Sequence, residues 1–162
     1  MSNQEHHSLS ARAVHFKPLK VTSPAFGEND MIPSDYTCDG LNISPALDID
    51  NIPEETTCLA LVVEDPDAPA GTWVHWVAWN IPVSHHIKKN DLHGVEGIND
   101  FNGSGYGGPC PPSGTHRYFF KVYALDALLD IPANSTKSIL EKTMSDHIIG
   151  FGQLTGKYRR KK

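Results

Sequence analysis

The sequence has no hydrophobic run that approaches the roughly 20 residues with which a helix crosses a membrane. It also has no surplus of positive charge: the formal net charge is −5, whereas a general nucleic-acid-binding protein shows a dominant basic face. We therefore expect a soluble protein with no transmembrane segment and no nucleic-acid partner. The tail "KYRRKK" is the one strongly basic stretch, and short charged termini are usually solvated surface.

Cysteine is scarce. Of the three cysteines, Cys38, Cys58 and Cys110, at least one must be unpaired, which agrees with a reducing compartment. The first 20 residues also contain no continuous apolar stretch of the kind that marks a secretory signal. These features predict a cytoplasmic protein, while a bridge between Cys38 and Cys110 stays open.

The sequence contains no internal repeat and no low-complexity linker, but 13 glycines and 12 prolines separate its short apolar runs. This spacing favours a single β-rich domain with long loops over a helical bundle. Strands are predicted at 20–26, 58–64, 73–81 and 116–125, with weaker candidates at 46–49 and 152–158. One helix is predicted in "PANSTKSILEKTMSDHIIG", with Asn134 or Ser135 as N-cap and Gly150 at its end.

Two histidines fall on otherwise apolar faces of predicted strands. Strict alternation in "TWVHWVAWNIP" places His75 on the same face as Val77 and Trp79. In "THRYFFKVYALD" the same rule places His116 with Tyr118. A single histidine in such a position is more often a hydrogen-bonded core residue than a functional one. Two of them, each beside a loop rich in glycine and proline, are candidates for one site.

The loop that precedes His116, "FNGSGYGGPCPPSGT", combines glycines with three prolines. Glycines allow a ligand to approach the main chain, and prolines restrict the loop to a defined shape. The segment lacks both the P-loop lysine and the dinucleotide fingerprint, and no cofactor is predicted.

Two long motifs carry a family resemblance. "EDPDAPAGTWVHWVAWNIP" (64–82) and "GYGGPCPPSGTHRYFFKVYALD" (105–126) closely resemble the phosphatidylethanolamine-binding protein family, also called Raf kinase inhibitor-like, in its compact bacterial type. "YTCDGLNISPAL" (36–47) and the predicted helix look like the same family. The resemblance runs over 21–158. It leaves 1–20 as an N-terminal extension, with disorder as the expectation, and 159–162 as a basic tail.

The resemblance implies a mostly β fold, a β-sandwich around a large antiparallel sheet with one or two short helices. It also implies a shallow pocket for phosphate or a phosphorylated ligand, such as a phospholipid headgroup, a nucleotide or a phosphopeptide. Matching the motifs residue by residue gives the expected ligand-binding residues: Asp65, Asp67, His75, Gly108, Pro112, His116 and Tyr118. A kinase-regulating role with a protein partner is implied as well, and a homodimer is left open.

In this interpretation the carboxylates do not contact the anion. They orient the histidines that bind it. An imidazole that is hydrogen-bonded to Asp65 or Asp67 is held in one tautomer, and its protonated form is favoured. Its second nitrogen can then donate to a phosphate oxygen, with the Tyr118 hydroxyl as a further donor. This hypothesis predicts that anion affinity falls as pH rises through the histidine range.

Three other hypotheses are compatible with the sequence. Asp65, Asp67, His75 and His116 could serve acid/base hydrolysis of a phosphoester, although neither Ser113 nor Cys110 lies in a nucleophile motif. The same four residues could bind a metal, although no pair has the close spacing of a metal motif. The chain could also be a protein-interaction module with a vestigial pocket. No catalytic residue and no metal ligand is predicted.

Overall fold

The computed structural model describes residues 16–161. Within this range the strands are β1 (Lys17–Pro18), β2 (Lys20–Thr22), β3 (Leu47–Asp50), β4 (Cys58–Asp65), β5 (Trp73–Ile81), β6 (His86–Ile87), β7 (Val95–Glu96), β8 (His116–Leu125) and β9 (Ile148–Tyr158). One α-helix, α1 (Lys137–Met144), lies between β8 and β9, and a 3₁₀ turn spans Ser34–Tyr36. No helix of the described range is long and apolar enough to cross a membrane.

The strands form two sheets. The larger has six strands in the order β1-β9-β8-β4-β5-β7, and the smaller has three in the order β2-β3-β6. All neighbouring pairs are antiparallel except β1 and β9. The expected mostly β fold around a large antiparallel sheet is confirmed.

The large sheet is covered on both faces. One face packs against the small sheet, where Ile49 of β3 joins a buried cluster with Leu61 and Phe120. The other face packs against α1, where Leu140 and Met144 join Val62. All eight residues of β4 are buried as a result, and this double burial explains why its sequence, "CLALVVED", carries an almost continuous apolar run.

The predicted strands at 73–81 and 116–125 agree with β5 and β8 residue for residue, and 58–64 agrees with β4 to within one residue. The strand predicted at 20–26 ends at Thr22, and the one predicted at 152–158 begins earlier, at Ile148. Strands β1, β6 and β7 have two residues each and were not predicted, because so short a strand is defined by its partner and not by a periodic pattern.

The predicted helix is longer than the observed one. Its N-cap is Thr136, whose hydroxyl accepts a hydrogen bond from Ile139 N, and neither Asn134 nor Ser135 takes that role. Gly150, expected just after the helix, lies within β9 instead. The pairing of β9 with β8 begins at Ile148. Hydrogen bonds between these two strands therefore form where local periodicity favours a longer helix.

Strict alternation fails at His75. Val63 pairs with Trp76 and Glu64 pairs with Val74, so His75 is an extra residue, a β-bulge, on β5. The prediction that His75 shares a face with Val77 and Trp79 is therefore wrong. Trp76, the next residue, belongs to the cluster between the two sheets, and the His75 ring contacts Tyr118 of that cluster.

The domain boundaries stay predictions. Residues 1–15 of the expected N-terminal extension lie outside the described residues. Lys17 pairs with Gly150 in the large sheet and Lys20 pairs with Asp50 in the small one, so the end of that extension belongs to the folded domain.

Candidate functional site

A cavity of about 240 Å³ opens where β4 ends and where β5 and β8 begin. These three ends meet because β4 is antiparallel to both of its neighbours. The cavity is lined by Asp65, Ala68, Pro69, Trp73, His75, Phe101, Cys110, Pro111, Pro112, His116 and Tyr118. Five of the seven predicted binding residues are among them: Asp65, His75, Pro112, His116 and Tyr118. Asp67 and Gly108 are not.

His116 and Asp65 form a buried pair in the cavity wall. His116 Nδ1 lies 2.6 Å from Asp65 Oδ2, and the two residues are 7% and 3% exposed. A carboxylate accepts and does not donate, so the Nδ1 atom carries the proton. The Nε2 atom forms no hydrogen bond within the described part of the chain.

His75 is fixed by the glycine-rich loop and not by a carboxylate. Its Nδ1 donates to the Gly107 carbonyl at 2.7 Å, and the Gly107 N–H donates to the His75 carbonyl at 2.9 Å. Burial lowers the pKa of His75 below its usual range, although the Gly107 carbonyl and the charge of Asp65 act in the opposite direction. The ring is therefore neutral at neutral pH, with the proton on Nδ1 and an accepting lone pair on Nε2.

Tyr118 forms the floor between the two imidazoles. Its ring lies edge-on to that of His75, with 5.3 Å between centroids. Its hydroxyl is buried, faces the Asp65 carboxylate and makes no hydrogen bond of ordinary geometry with a described residue. Burial and the charge of Asp65 raise the pKa of Tyr118 above its usual range, so the hydroxyl stays protonated.

Asp67 turns away from the cavity toward Arg117. Two atoms of the guanidinium donate to the two carboxylate oxygens at 2.9 Å, and the Arg117 backbone N–H donates to Oδ2. Arg117 lowers the pKa of Asp67 to about 2. Sequence reasoning did not single out Arg117, although it directly follows His116 and faces the opposite side of β8. The pair holds the "DPDAP" turn against the start of β8.

Gly108 and Pro112 belong to the loop that closes the other side of the cavity. The Gly108 N–H donates to Asn42 Oδ1 at 2.8 Å, and a Cβ at Gly108 would lie 2.4 Å from that oxygen. Gly108 therefore permits a close approach of the loop to the 36–42 segment. A disulfide between Cys38 and Cys110 joins the same two segments, with 5.4 Å between Cα atoms. The sequence left this pairing open.

Aromatic rings form the mouth of the cavity. Trp73 and Phe101 contact each other edge-on, with 5.5 Å between ring centroids, and Phe101 also contacts the His75 ring. Both are partly exposed, at 37% and 44%. Neither was predicted as a site residue, although Trp73 lies two residues before His75.

The cavity combines two imidazoles, one tyrosine hydroxyl and one carboxylate under an apolar mouth. Within residues 16–161, no group of three or more histidine, cysteine, aspartate or glutamate side chains is arranged to hold a metal ion.

Comparison with known proteins places this geometry in a family. The family model described as phosphatidylethanolamine-binding protein matches residues 22–159. The chain belongs to the phosphatidylethanolamine-binding protein family. The resemblance read from the two motifs is thereby confirmed, and membership supports a binding protein in general terms.

Relatives of the family cover most of the chain. A UPF0098 protein of Pyrococcus abyssi is 46% identical over 88% of this chain and 86% of its own length. The crystal structure of a phosphatidylethanolamine-binding protein homologue from Chlamydia trachomatis superposes with a TM-score of 0.86 at 38% identity, covering 90% of this chain and 99% of that one. Escherichia coli YbcL, described as a new member of the mammalian PEBP family, gives a TM-score of 0.81 at 31% identity, with 88% and 99% covered.

Proposed function

We propose that this protein binds a phosphate-type anion in the cavity of His75 and His116. The observation that carries the proposal is the convergence of two imidazoles on one cavity, each with its Nδ1 atom already donating to an oxygen of the protein. This arrangement leaves both Nε2 atoms for a ligand. The Tyr118 hydroxyl is buried and faces the Asp65 carboxylate, so Tyr118 supports the wall of the cavity and is not needed as a ligand group.

Anion binding at this site is coupled to protonation. With Nδ1 committed, a neutral imidazole has only a lone pair on Nε2 and cannot donate to a phosphate oxygen. A ligand oxygen therefore requires an imidazolium, or else the ligand brings its own P–OH proton. In a protonated His116 the hydrogen bond from Nδ1 to Asp65 is charge-assisted and Nε2 points a second N–H to the ligand, so we assign His116 as the donor. His75 is the better acceptor, because burial keeps it neutral.

The apolar mouth favours an organic phosphate over the inorganic ion. Trp73, Phe101 and Pro112 line the entrance, and burial of apolar ligand surface contributes about 25 cal/mol per Å². The ligand class that this geometry fits is a phosphomonoester with an apolar group next to the phosphate.

A regulatory role toward a protein partner is the second part of the proposal. The partly exposed rings of Trp73 and Phe101 would contact a protein that inserts a phosphorylated side chain into the cavity. Inhibition of a Raf-type kinase remains a prediction, which co-purification with a kinase would test. A homodimer also remains a prediction, which light scattering would test.

Hydrolysis of a phosphoester is less favoured than binding, because the disulfide removes Cys110 as a nucleophile.

The predicted cytoplasmic location also stays a prediction. Disulfides persist in oxidising compartments and in intracellular proteins of hyperthermophiles. The Cys38–Cys110 pairing therefore favours one of those two settings over an ordinary reducing cytoplasm.

Isothermal titration calorimetry with phenyl phosphate tests the proposal. We expect His116→Gln to weaken binding by about tenfold or more, because a charge-assisted hydrogen bond is lost. His147→Gln is the matched control, since His147 also donates through Nδ1 to an aspartate, Asp126, but on the exposed surface. No binding to the wild type, or equal binding by His116→Gln, would overturn the assignment.

The pH dependence of binding needs a ligand that does not itself titrate. Phenyl sulfate keeps one negative charge across the histidine range, so any change in its affinity comes from the protein. We expect its affinity to fall continuously between pH 5.5 and pH 8.5. The fall should approach about tenfold per pH unit where the imidazole that binds the anion is mostly neutral in the free protein. Equal affinity at both ends would show that no imidazolium takes part.

A further inference from the structure

A second cavity, of about 250 Å³, adjoins the first. It is lined by Pro111, Pro112, Ser113, Gly114, Arg159 and Arg160. Pro111 and Pro112 line both cavities, so the two cavities border the same stretch of the loop. The second cavity is polar, and its lining carries two guanidinium groups but no carboxylate.

The pairing of β8 with β9 brings the basic tail to this place. His116, the first residue of β8, pairs with Tyr158, the last residue of β9. Arg159 and Arg160 follow Tyr158 directly in the sequence. They therefore lie near His116, which lines the first cavity. Two residues of the "KYRRKK" segment, which the sequence alone favoured as solvated surface, thus line a cavity wall: Arg159 and Arg160.

The two arginines differ in their partners. Arg160 donates through Nε and Nη2 to Asp39 Oδ1, at 3.1 and 2.9 Å, and Asp39 also accepts from the Tyr158 hydroxyl. Asp39 thus fixes Arg160 and compensates its charge. Arg159 is exposed, and no carboxylate of residues 16–161 forms an ion pair with it. Of the two guanidinium groups in the lining, that of Arg159 has no carboxylate partner among the described residues.

We propose that the second cavity is a subsite for a second anionic group of the ligand, with Arg159 as the residue that recognises it. This inference rests on the proposed function, since the first anionic group is the phosphate held by His116 and His75. The guanidinium fork matches phosphate and carboxylate geometry and forms paired charge-assisted hydrogen bonds. The ligand class is accordingly a small molecule with a phosphomonoester at one end and a second anionic group at the other.

The negative net charge of the protein makes a preference for doubly anionic ligands informative. At a formal net charge of −5, a second negative charge on the ligand is repelled by the protein as a whole. Tighter binding of a doubly anionic ligand therefore requires a local positive group within its reach. The contrast between singly and doubly phosphorylated ligands reports on that group directly.

The experiment compares propyl phosphate with a series of α,ω-alkanediol bisphosphates that have three, four and six carbons, each titrated calorimetrically. The series covers different spans between the two groups. We expect at least one bisphosphate to bind the wild type about tenfold more tightly than propyl phosphate. In Arg159→Gln the ratio of the two affinities should fall to about two or less, and raised salt should reduce the wild-type ratio.

Lys89→Gln is the matched control, because it removes one exposed positive charge that lines neither cavity. The wild-type ratio should persist in this variant. A ratio near one for every bisphosphate, or one that Arg159→Gln leaves unchanged, would overturn the second subsite while propyl phosphate binding still supports the first. Failure of both ligand types to bind the wild type would refute the proposed function and the subsite together.

Discussion

His116 Nδ1 and Asp65 Oδ2 lie 2.6 Å apart, although 51 residues separate them in the sequence. The contact is possible because β4 ends where its antiparallel neighbour β8 begins. The pair determines which nitrogen of His116 remains for a ligand. The chemistry of the cavity thus depends on the register in which β8 pairs with β4.

The first prediction concerns Asp65. Asp65→Asn should weaken phenyl phosphate binding by about tenfold, because the carboxylate that stabilises an imidazolium at His116 is gone. Calorimetric titration near pH 6 measures the effect. Asp126→Asn, which breaks the exposed pair with His147, is the control and should bind as the wild type does. Unchanged affinity in Asp65→Asn would show that the pair has no part in binding.

The second prediction separates Asp67 from Asp65. Asp67 lies in the same motif but bonds to Arg117 outside the cavity, so Asp67→Asn should change phenyl phosphate affinity by less than about threefold. It should cost up to about 1 kcal/mol of unfolding free energy at pH 7, since the pair is partly exposed and screened by solvent. A loss of affinity as large as that of Asp65→Asn would show that Asp67 contacts the ligand.

The stability difference between the wild type and Asp67→Asn should depend on pH in one direction. Arg117 holds the pKa of Asp67 at about 2, below the value of about 3.9 in the unfolded chain. Its contribution to stability is therefore present above pH 4 and is lost as the pH falls toward 2. The stability difference between wild type and Asp67→Asn should shrink over that interval in urea unfolding experiments.

The third prediction concerns His75. Burial lowers its folded-state pKa below the unfolded value of about 6.5, so the unfolded chain binds the proton more tightly. The contribution of His75 to stability should fall as the pH decreases from about 7 to about 5, by about 1.4 kcal/mol for each unit between the two pKa values. The groups that face His75 (Asp65, Asp100 and the Gly107 carbonyl) favour its charged form and reduce the effect without reversing it.

Urea unfolding of wild type and His75→Gln at several pH values tests this prediction. Other histidines titrate in both proteins, so their contributions cancel in the difference. His75→Gln should show the flatter stability profile below pH 7. Parallel profiles would indicate that His75 has the same proton affinity in the folded and unfolded chains.

The fourth prediction concerns the disulfide. One thiol per chain, that of Cys58, should react in denatured, unreduced protein. Replacing Cys38 and Cys110 together by serine should lower the free energy of unfolding by about 2–4 kcal/mol, because the bridge closes a long loop. It should also weaken ligand binding, since Cys110 and Pro112 line the cavity.

A reducing agent provides the control for the disulfide. Dithiothreitol should bring the wild type close to the stability of the double serine variant and should leave that variant unchanged. Three reactive thiols in the unreduced protein would mean that the bridge does not form, and the predicted cytoplasmic location would then gain support.

Much of the site was predictable because family motifs and strand periodicity both depend on local sequence. The periodicity of β8 placed His116 and Tyr118 on one face, and the structure agrees. The same rule failed on β5, where the bulge at His75 is created by pairing with β4 and leaves no mark on the alternation. The helix end was misplaced for a similar reason, because pairing of Ile148 with Leu125 starts β9.

The amino-acid sequence is sufficient to predict the family, the mostly β fold and five of the cavity-lining residues, since these follow from motif identity and from alternation along single strands. Only the folded chain shows that Asp65 bonds to His116 and that Asp67 bonds to Arg117. It also shows that Cys38 is bonded to Cys110 and that Arg159 lines the second cavity. These are contacts between distant segments. Strand register and loop closure bring such segments together, and no short window of sequence records either one.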